Sequence, residues 1–493
     1  MEMRLISSRL NLYPRSLAIS NDMEFGLAQT PTGPILAVLA RSGSKAIDAF
    51  NGETSEFDGN ILVLCPLSSH NASSLRNHLT WLKPRPLGLS TSAGMGDRLG
   101  IATPGHVRAV RDTHGKVAPI FAQQSIREMR RTGRSPQQVM DDATWGIFEE
   151  GWHSGIGSDA DHLKTNAEID ACAAAGFTLY TIDPGEYVDN LGHKTNNFQL
   201  KEQLELLPEY LQSKATGLLG KSFDIEGYKI FVDEIALFKA IAKYGKAVAH
   251  VASMYEYLAK IAGEHPFEVE ISMDETEQPT SPVEHVYIAS ELQRIGVKWV
   301  SFAPRFVGRF EKGVDYIGDL QAFGADLAVH AAIARQFGPY KLSLHSGSDK
   351  FSIYRMFMEK TNGLAHLKTA GTSYLEALQT IAALDRDLFK EIYIFALEHF
   401  NNDKLSYHIS AQVDKAPNPA EIKDWPGLLD QFDTREIFHV TFGSVLTEKT
   451  SDGKMRFYDR LMLVLNANRE MYFDNLADHF TRHLQPFSTI CNV

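Results

Sequence analysis

Cysteine is scarce in this chain. Cys65, Cys172 and Cys491 are far apart and form no CxxC pair. That excludes a disulfide framework and a cysteine zinc site, and it fits a reducing compartment. An excess of positive charge is also missing. The 49 Lys and Arg are outnumbered by 61 Asp and Glu, a net charge of -12. A nucleic-acid binder is usually basic, so that class is disfavoured. A small anionic substrate stays open, because a local Arg/Lys cluster can act inside an acidic protein. No run approaches the ~18 apolar residues of a membrane helix. The opening MEMRLISSRLNLYPRS lacks the long apolar stretch of a signal peptide. Internal repeats, low-complexity segments, charge runs and a P-loop are all absent. Gly94–Gly100 reads GMGDRLG and does not match GxGxxG, so a Rossmann oxidoreductase is weakly supported. The expectation is a cytoplasmic enzyme with neither nucleic-acid nor membrane partners; a homo-oligomer is compatible with it.

What is present is enough apolar sequence for a large core: 44% hydrophobic and 22% charged in 493 residues. Residues 1–85 look β-rich and irregular, with apolar runs at Pro34–Leu39 and Asn60–Cys65. They are expected to form an accessory region. From residue 86 to 400 short apolar strands alternate with helical stretches, the pattern of βα units around a parallel sheet. Strands are expected at Leu87–Ser90, Val117–Ala122, Gly155–Asp159, Phe177–Ile182, Phe267–Met273, Lys298–Ala303, Lys341–His345 and Ala365–Thr369. Eight such units predict an α/β fold, a TIM-like (β/α)8 barrel with additions. Ala247–Val251 and Ile437–Phe442 are further strand candidates. Ser135-Pro136 reads as the capped start of a helix. A helical insertion at about 196–264, after the fourth strand, is expected to cover the barrel mouth or make a subunit contact. Residues 401–493 are expected to be a helical extension packed outside the barrel.

In such a barrel alternate strand residues point inward, and those at C-terminal strand ends meet the substrate. The segment Gly338–Lys350 shows the pattern most clearly: Leu342 and Leu344 face one side, Ser343 and His345 the other. On Phe267–Asp274 the inward set is Glu268, Glu270 and Ser272, followed by Asp274, Glu275 and Glu277. Carboxylates inside a barrel are costly unless a cation or metal pairs with them. Glu268 reads as a buried salt bridge low in the barrel, Glu270 as a functional group. Asp159, Asp161, His162 and Lys164 crowd into six positions. Asp159 reads equally well as a helix cap, whereas Asp161 with His162 suggests a metal ligand beside a proton-transfer group. Arg305 and Arg309 suggest an anionic substrate, although Arg309 reads equally as a structural ion pair. Lys368 and His366 share an inward side; the lysine suits a substrate carboxylate or carbonyl, and the histidine reads equally as core. Asp183 is a mouth carboxylate or a turn former before Pro184. Histidines among acids suit a divalent cation such as Zn, Mn, Ni or Co. His285 and His439 are held in reserve.

Eight of these segments, in order over roughly residues 87–380, resemble the tagaturonate/fructuronate epimerase family of bacterial hexuronate catabolism. They are LGLSTSAGMGDRLGIATPGH from Leu87, FAQQSIREM from Phe121, DADHLKT from Asp159, TIDPGE from Thr181, EISMDETEQPTSP from Glu270, SFAPRFVGRFEKGVDYIGDL from Ser301, GPYKLSLHSGSDKFSIY from Gly338 and HLKTAGTSYLEAL from His366. The resemblance implies a metal-dependent interconversion of D-tagaturonate and D-fructuronate. These ketouronates differ at a hydroxyl carbon β to the ketone, which simple enolisation does not invert. A retro-aldol and aldol sequence with two acid/base groups does. On that implication Asp161 and Glu270 are the acid/base pair, and His162 and His345 bind the metal with Asp274 as a weaker third ligand. Arg305, Lys368 and Lys164 hold the substrate carboxylate. The same residues would also serve a metal-dependent sugar-acid isomerase or aldolase. A non-catalytic sugar-acid binder is less well supported, because binding alone does not need several acid/base groups around one metal.

Overall fold

The structure is a computed structural model and describes residues 6, 10–31, 33–190, 208, 216–369 and 371–488. The N-terminal region is an antiparallel sheet built from β1 (Ala18–Ser20), β2 (Met23–Thr30), β3 (Gly33–Arg41), β4 (Glu53–Phe57) and β5 (Asn60–Cys65). Its strand order is β1-β2-β3-β5-β4. Alternation along β3 sends Leu36, Val38 and Ala40 into the main core. Ala37 and Leu39 face a separate small cluster with Ile6 and Leu62.

The barrel strands are β6 (Ser92–Met95), β7 (Ala118–Ser125), β8 (Gly157–Leu163) and β9 (Leu179–Ile182), then β12 (Glu268–Ser272), β13 (Ser301–Ala303), β14 (Lys341–Leu344) and β15 (Ala365–Thr369). All neighbouring pairs are parallel, and β15 pairs with β6, so the sheet closes. The register places Glu270 beside Ser301, Ser301 beside Lys341, and Ser343 beside His366. This brings the polar inward residues of separate strands into adjoining layers. Outward residues such as Val269, Ile271, Leu342 and Leu344 are buried under the surrounding helices. The helix Pro136–Glu150 starts as its sequence predicts, with Ser135 and Gln138 forming a reciprocal capping box and Pro136 in the first turn.

Several expected boundaries move. The first barrel strand is Ser92–Met95, not Leu87–Ser90. Gly88 has φ 59°, which breaks the extended run, and the real strand is made of small residues with little β signal. The third strand begins at Gly157 and continues through Leu163, so Asp159 is a strand residue; the following helix is capped by Thr165 instead. Ala247–Val251 and Ile437–Phe442 are helical, inside Glu234–Ala262 and Phe432–Thr447. Both are apolar stretches buried on several sides, which periodicity alone does not separate from strands.

The expected insertion lies partly outside the described residues. Its described part is the hairpin of β10 (Ser222–Ile225) and β11 (Tyr228–Phe231) and the helix Glu234–Ala262. That helix packs between Asn166–Ala175 and Pro282–Arg294, so it is the outer helix of the fourth βα unit rather than a cover over the mouth. The C-terminal region is helical, with Phe432–Thr447, Tyr458–Ala467 and Arg469–Ser488, and the last of these packs against the barrel's outer helices Thr103–Asp112 and Thr372–Leu384. Among the described residues, no helix is long and apolar enough to cross a membrane.

Candidate active site

The barrel interior toward the C-terminal strand ends is built in two polar layers. The deeper one centres on Lys368, which is 1% exposed. Its Nζ donates to Asp161 Oδ1 at 2.7 Å and Thr181 Oγ1 at 2.7 Å, and lies 2.7 Å from Glu270 Oε1 and 2.9 Å from Asp159 Oδ2. Gln123 donates to Asp161 Oδ2 at 3.3 Å. Burial alone would raise the Asp161 and Glu270 carboxyls, but the Lys368 ammonium and nearby imidazoles outweigh it and hold both well below the usual carboxylate range. For Asp159 burial wins, with Asp161 and Glu270 adding to it, and its carboxyl is pushed up to about 6. Below this layer Glu268 accepts from the backbone N–H groups of Leu87 and Gly88, so it fastens the barrel floor.

The upper layer holds His162, Asp183, His345 and Asp274. A register shift between Ala160 and Leu163 bulges β8, and His162 takes φ 57°. The bulge turns His162 to the same side as Asp161, where strict alternation would send it outward. Its Nδ1 meets Asp183 Oδ2 at 3.1 Å. His345 Nε2 contacts Glu270 Oε1. The two remaining nitrogens, His162 Nε2 and His345 Nδ1, face each other at 3.4 Å with the rings nearly perpendicular. Asp274 Oδ1 is 3.4 Å from His345 Nδ1, and Asp161 Oδ1 is 3.8 Å from His162 Nε2. The His345 imidazole is pushed up to about 10: burial and Lys368 lower it, but Asp274 and Glu270 outweigh them.

This arrangement fits a divalent cation. Donors sharing one ion at ~2.1 Å lie roughly 3.0–3.5 Å from each other. Each imidazole also has its outer nitrogen fixed by a carboxylate, Asp183 or Glu270, which sets the tautomer and aims the inner nitrogen. The His162–His345 and His345–Asp274 contacts keep the spacing of donors on one ion, whereas Asp161, which also meets the imidazoles, has its Oδ1 3.8 Å from His162 Nε2 and bonded to Lys368.

Above His345 opens a cavity of about 470 Å³, within the usual range for a small-molecule site. Asp274, Glu275, Arg305, Arg309, Lys312 and His345 are among its lining residues. Of the residues expected from sequence, His345, Asp274 and Arg305 therefore reach the cavity. Among the described residues, Arg305 Nε and Nη1 donate to the backbone carbonyls of Thr276 at 3.3 Å and Phe306 at 3.4 Å. Asp161, His162, Glu270 and Lys368 lie beneath the cavity. Lys164 is off to one side, 3.1 Å from Glu186 and 3.7 Å from Asp183. Arg309 is 3.5 Å from Glu311, an ion pair at the rim. His366 stays in the core against Ser92, His285 lies behind the strands against His330, and His439, on Phe432–Thr447, packs against Arg98 and the loops at Gly313 and Gly371.

Sequence reasoning passed over three contributors. Arg127 lies just past the end of β7 and pairs with Glu275 at 2.5 Å; the strand-end rule applied to β7 would have found it. Lys312 lines the same wall. Segment 407–410, from the C-terminal extension, forms another part of the wall. Glu311 fixes it by accepting from Ser410 N at 2.7 Å and Oγ at 2.9 Å. Nothing local in the sequence marks that reach.

Comparison with known proteins agrees with this architecture. A family model described as tagaturonate epimerase matches residues 13–487. A tagaturonate/fructuronate epimerase of Thermotoga maritima is 43% identical over 477 residues, 96% of each chain. Crystal structures of a fructuronate-tagaturonate epimerase from Cohnella laeviribosi, native and with one bound glycerol, superpose with a TM-score of 0.91 at 38% identity, covering 98% of both chains. The chain belongs to the tagaturonate epimerase family.

Proposed function

We propose that this protein interconverts D-tagaturonate and D-fructuronate by retro-aldol cleavage and re-addition at a divalent metal site. The observation that carries the reading is the pair of imidazoles at the cavity floor, each fixed by a carboxylate and with inner nitrogens 3.4 Å apart. His162 and His345 would hold the cation with Asp274, next to Asp161. A divalent cation there supplies charge stabilisation for an enediolate.

The protein groups then have distinct tasks. Arg305, assisted by Lys312, receives the substrate carboxylate in the cavity. One carboxylate removes the proton from the hydroxyl on the carbon β to the ketone. The bond from that carbon toward the ketone breaks, its electron pair passes into the enediolate, and an aldehyde fragment forms. The fragment turns, the enediolate adds to its other face, and a second acid returns the proton to the new alkoxide. Glu275 reaches the cavity directly, and Asp161 adjoins the metal cradle. These two are the proton-handling pair that this placement favours. Glu270 is 0% exposed, with Oε1 on His345 and Lys368, so its effect is transmitted by orienting His345. Lys368 balances the three carboxylates beneath the site and leaves the substrate to Arg305.

Conversion in D2O tests this chemistry. The retro-aldol route yields the epimer without deuterium on carbon. Deuterium entering next to the carbonyl in step with product would instead identify a 1,2-enediolate isomerase on the same barrel.

A further inference from the structure

A second group of buried histidines and an acid lies outside the cavity, where Asp349, His479 and His483 meet. The three residue types suit a metal, but their bonds argue otherwise. His483 Nε2 accepts from the backbone N–H of Asp349 at 2.9 Å, and its Nδ1 faces His479 O at 3.0 Å. The Asp349 carboxylate already carries two cationic partners: His479 Nε2 at 3.0 Å from Oδ1 and Arg435 Nη2 at 3.1 Å from Oδ2. His479 Nδ1 in turn meets Glu376 Oε1 at 3.1 Å. The array is an internal ion clamp: both His483 nitrogens are hydrogen-bonded to backbone, and His479 Nε2 meets Asp349 Oδ1 as an ion pair without a directed hydrogen bond.

What the clamp grips is the turn that follows His345. Asp349 sits at φ 60°, a left-handed conformation costly for most side chains and tolerated by Asp and Asn. The next residue, Lys350, is fully buried and donates to the carbonyls of Glu311 at 2.7 Å, Ser348 at 3.0 Å and Val314. Arg435 Nε also donates to Gly313 O. One turn is thus tied to the C-terminal helices on one side and to the cavity wall of Glu311 and Lys312 on the other. Strained backbone persists only where its surroundings over-determine it.

We propose that Asp349 and His479 are positioning residues: the C-terminal helix Arg469–Ser488, from outside the barrel, grips the turn after β14 and through it fixes both the aim of His345 and the 311–314 wall of the cavity. The catalytic consequence rests on the reading of His345 as part of the reacting centre. A displacement of ~1 Å at a reacting group costs on the order of 100-fold in rate, so a loosened turn lowers turnover before it lowers folding.

The test uses the full-length protein as Asp349→Asn and His479→Gln. Asparagine keeps the left-handed backbone and removes the charge, so the first variant stays informative even if the second fails to fold. Two readouts are taken: kcat and KM on the ketouronate, and amide hydrogen exchange of the 341–354 region. The expected result is a kcat at least ~10-fold lower, KM within ~3-fold, and faster exchange across 346–350 with the barrel strands unchanged. A folded variant with wild-type kcat overturns the proposal, and so does unchanged exchange across 346–350. If the wild-type protein leaves the ketouronate unconverted, the proposed reaction fails. Exchange then decides the clamp alone: faster exchange supports it and unchanged exchange overturns it.

Discussion

Replacing Lys368 by methionine removes the cation on which the deep layer depends. The side chain is 1% exposed, and its Nζ lies 2.7–2.9 Å from carboxylate oxygens of Asp159, Asp161 and Glu270. Removing one partner of a buried ion pair costs about 3–5 kcal/mol. Unfolding entropy is about 2.1 cal/mol/K per residue near 60 °C, so 493 residues give about 1 kcal/mol/K. The melting temperature should therefore fall by about 3–5 °C at neutral pH. The pH dependence has a definite sign. In the wild type, Asp161 and Glu270 are held below the usual carboxylate range because the ammonium outweighs burial. Their pairing contributes stability above the ordinary carboxylate pKa of about 4 and loses it on acidification. In the variant, burial acts without the ammonium and both carboxyls rise. The stability deficit then grows as pH climbs above about 4 and shrinks below it. Calorimetry from pH 4 to 8 at one scan rate measures this. Adding Asp159→Asn to the variant should recover part of the loss. A variant that melts at the wild-type temperature across the range would refute the charge-balancing role.

Other substitutions separate the proposed roles. Asp161→Asn and Glu275→Gln should each keep the fold and lose at least ~100-fold in kcat, the scale of a removed acid or base; near-wild-type turnover in either would exclude that residue. Glu270→Gln should weaken metal affinity by ~10–100-fold through the loss of the group orienting His345; unchanged affinity by isothermal titration would reject the orienting role. Arg305→Met should raise KM by at least ~10-fold, from losing a charged hydrogen bond worth about 1.5–3 kcal/mol, and a kcat effect alone would speak against carboxylate binding. Glu436 is pushed up to about 9, by burial first and the Glu311 carboxylate second. A folded-state pKa above the unfolded one means stability is lost as pH rises from about 4.3 toward 9. Glu436→Gln should therefore raise the melting temperature, by more at pH 8 than at pH 5, and a pH-independent change would contradict this.

The barrel was legible because its strands carry a strong period of two, apolar outward and polar inward, as at Lys341–His345 and Phe267–Met273. β6 was misplaced because Ser92–Met95 is small and weakly patterned, and Leu87–Ser90 next to it is more apolar. The buried apolar stretches at Ala247–Val251 and Ile437–Phe442 imitate strands for the reason that makes them good core helices. In the site, strand-end reasoning located His345, Glu270, Asp274 and Lys368. It placed His162 on the right segment, although the bulge that turns it inward has no sequence signature. It did not separate depth: Lys368 and Arg305 look equally available in the sequence, yet one is spent on three carboxylates and the other lines the cavity. Wall residues from segment 407–410 and the clamp at His479 arrive from far along the chain, and only tertiary packing discloses them.

The central claim is a metal-dependent epimerisation at the His162–His345 cradle. NMR of D-tagaturonate incubated with metal-stripped protein, before and after adding Zn, Mn, Ni or Co, tests it most directly. The account predicts no turnover without metal, D-fructuronate appearing on resupply, and no such response in His345→Ala. D-fructuronate formed at the same rate by stripped and resupplied protein would contradict the metal's role, and no conversion with any of the four ions would contradict the reaction itself.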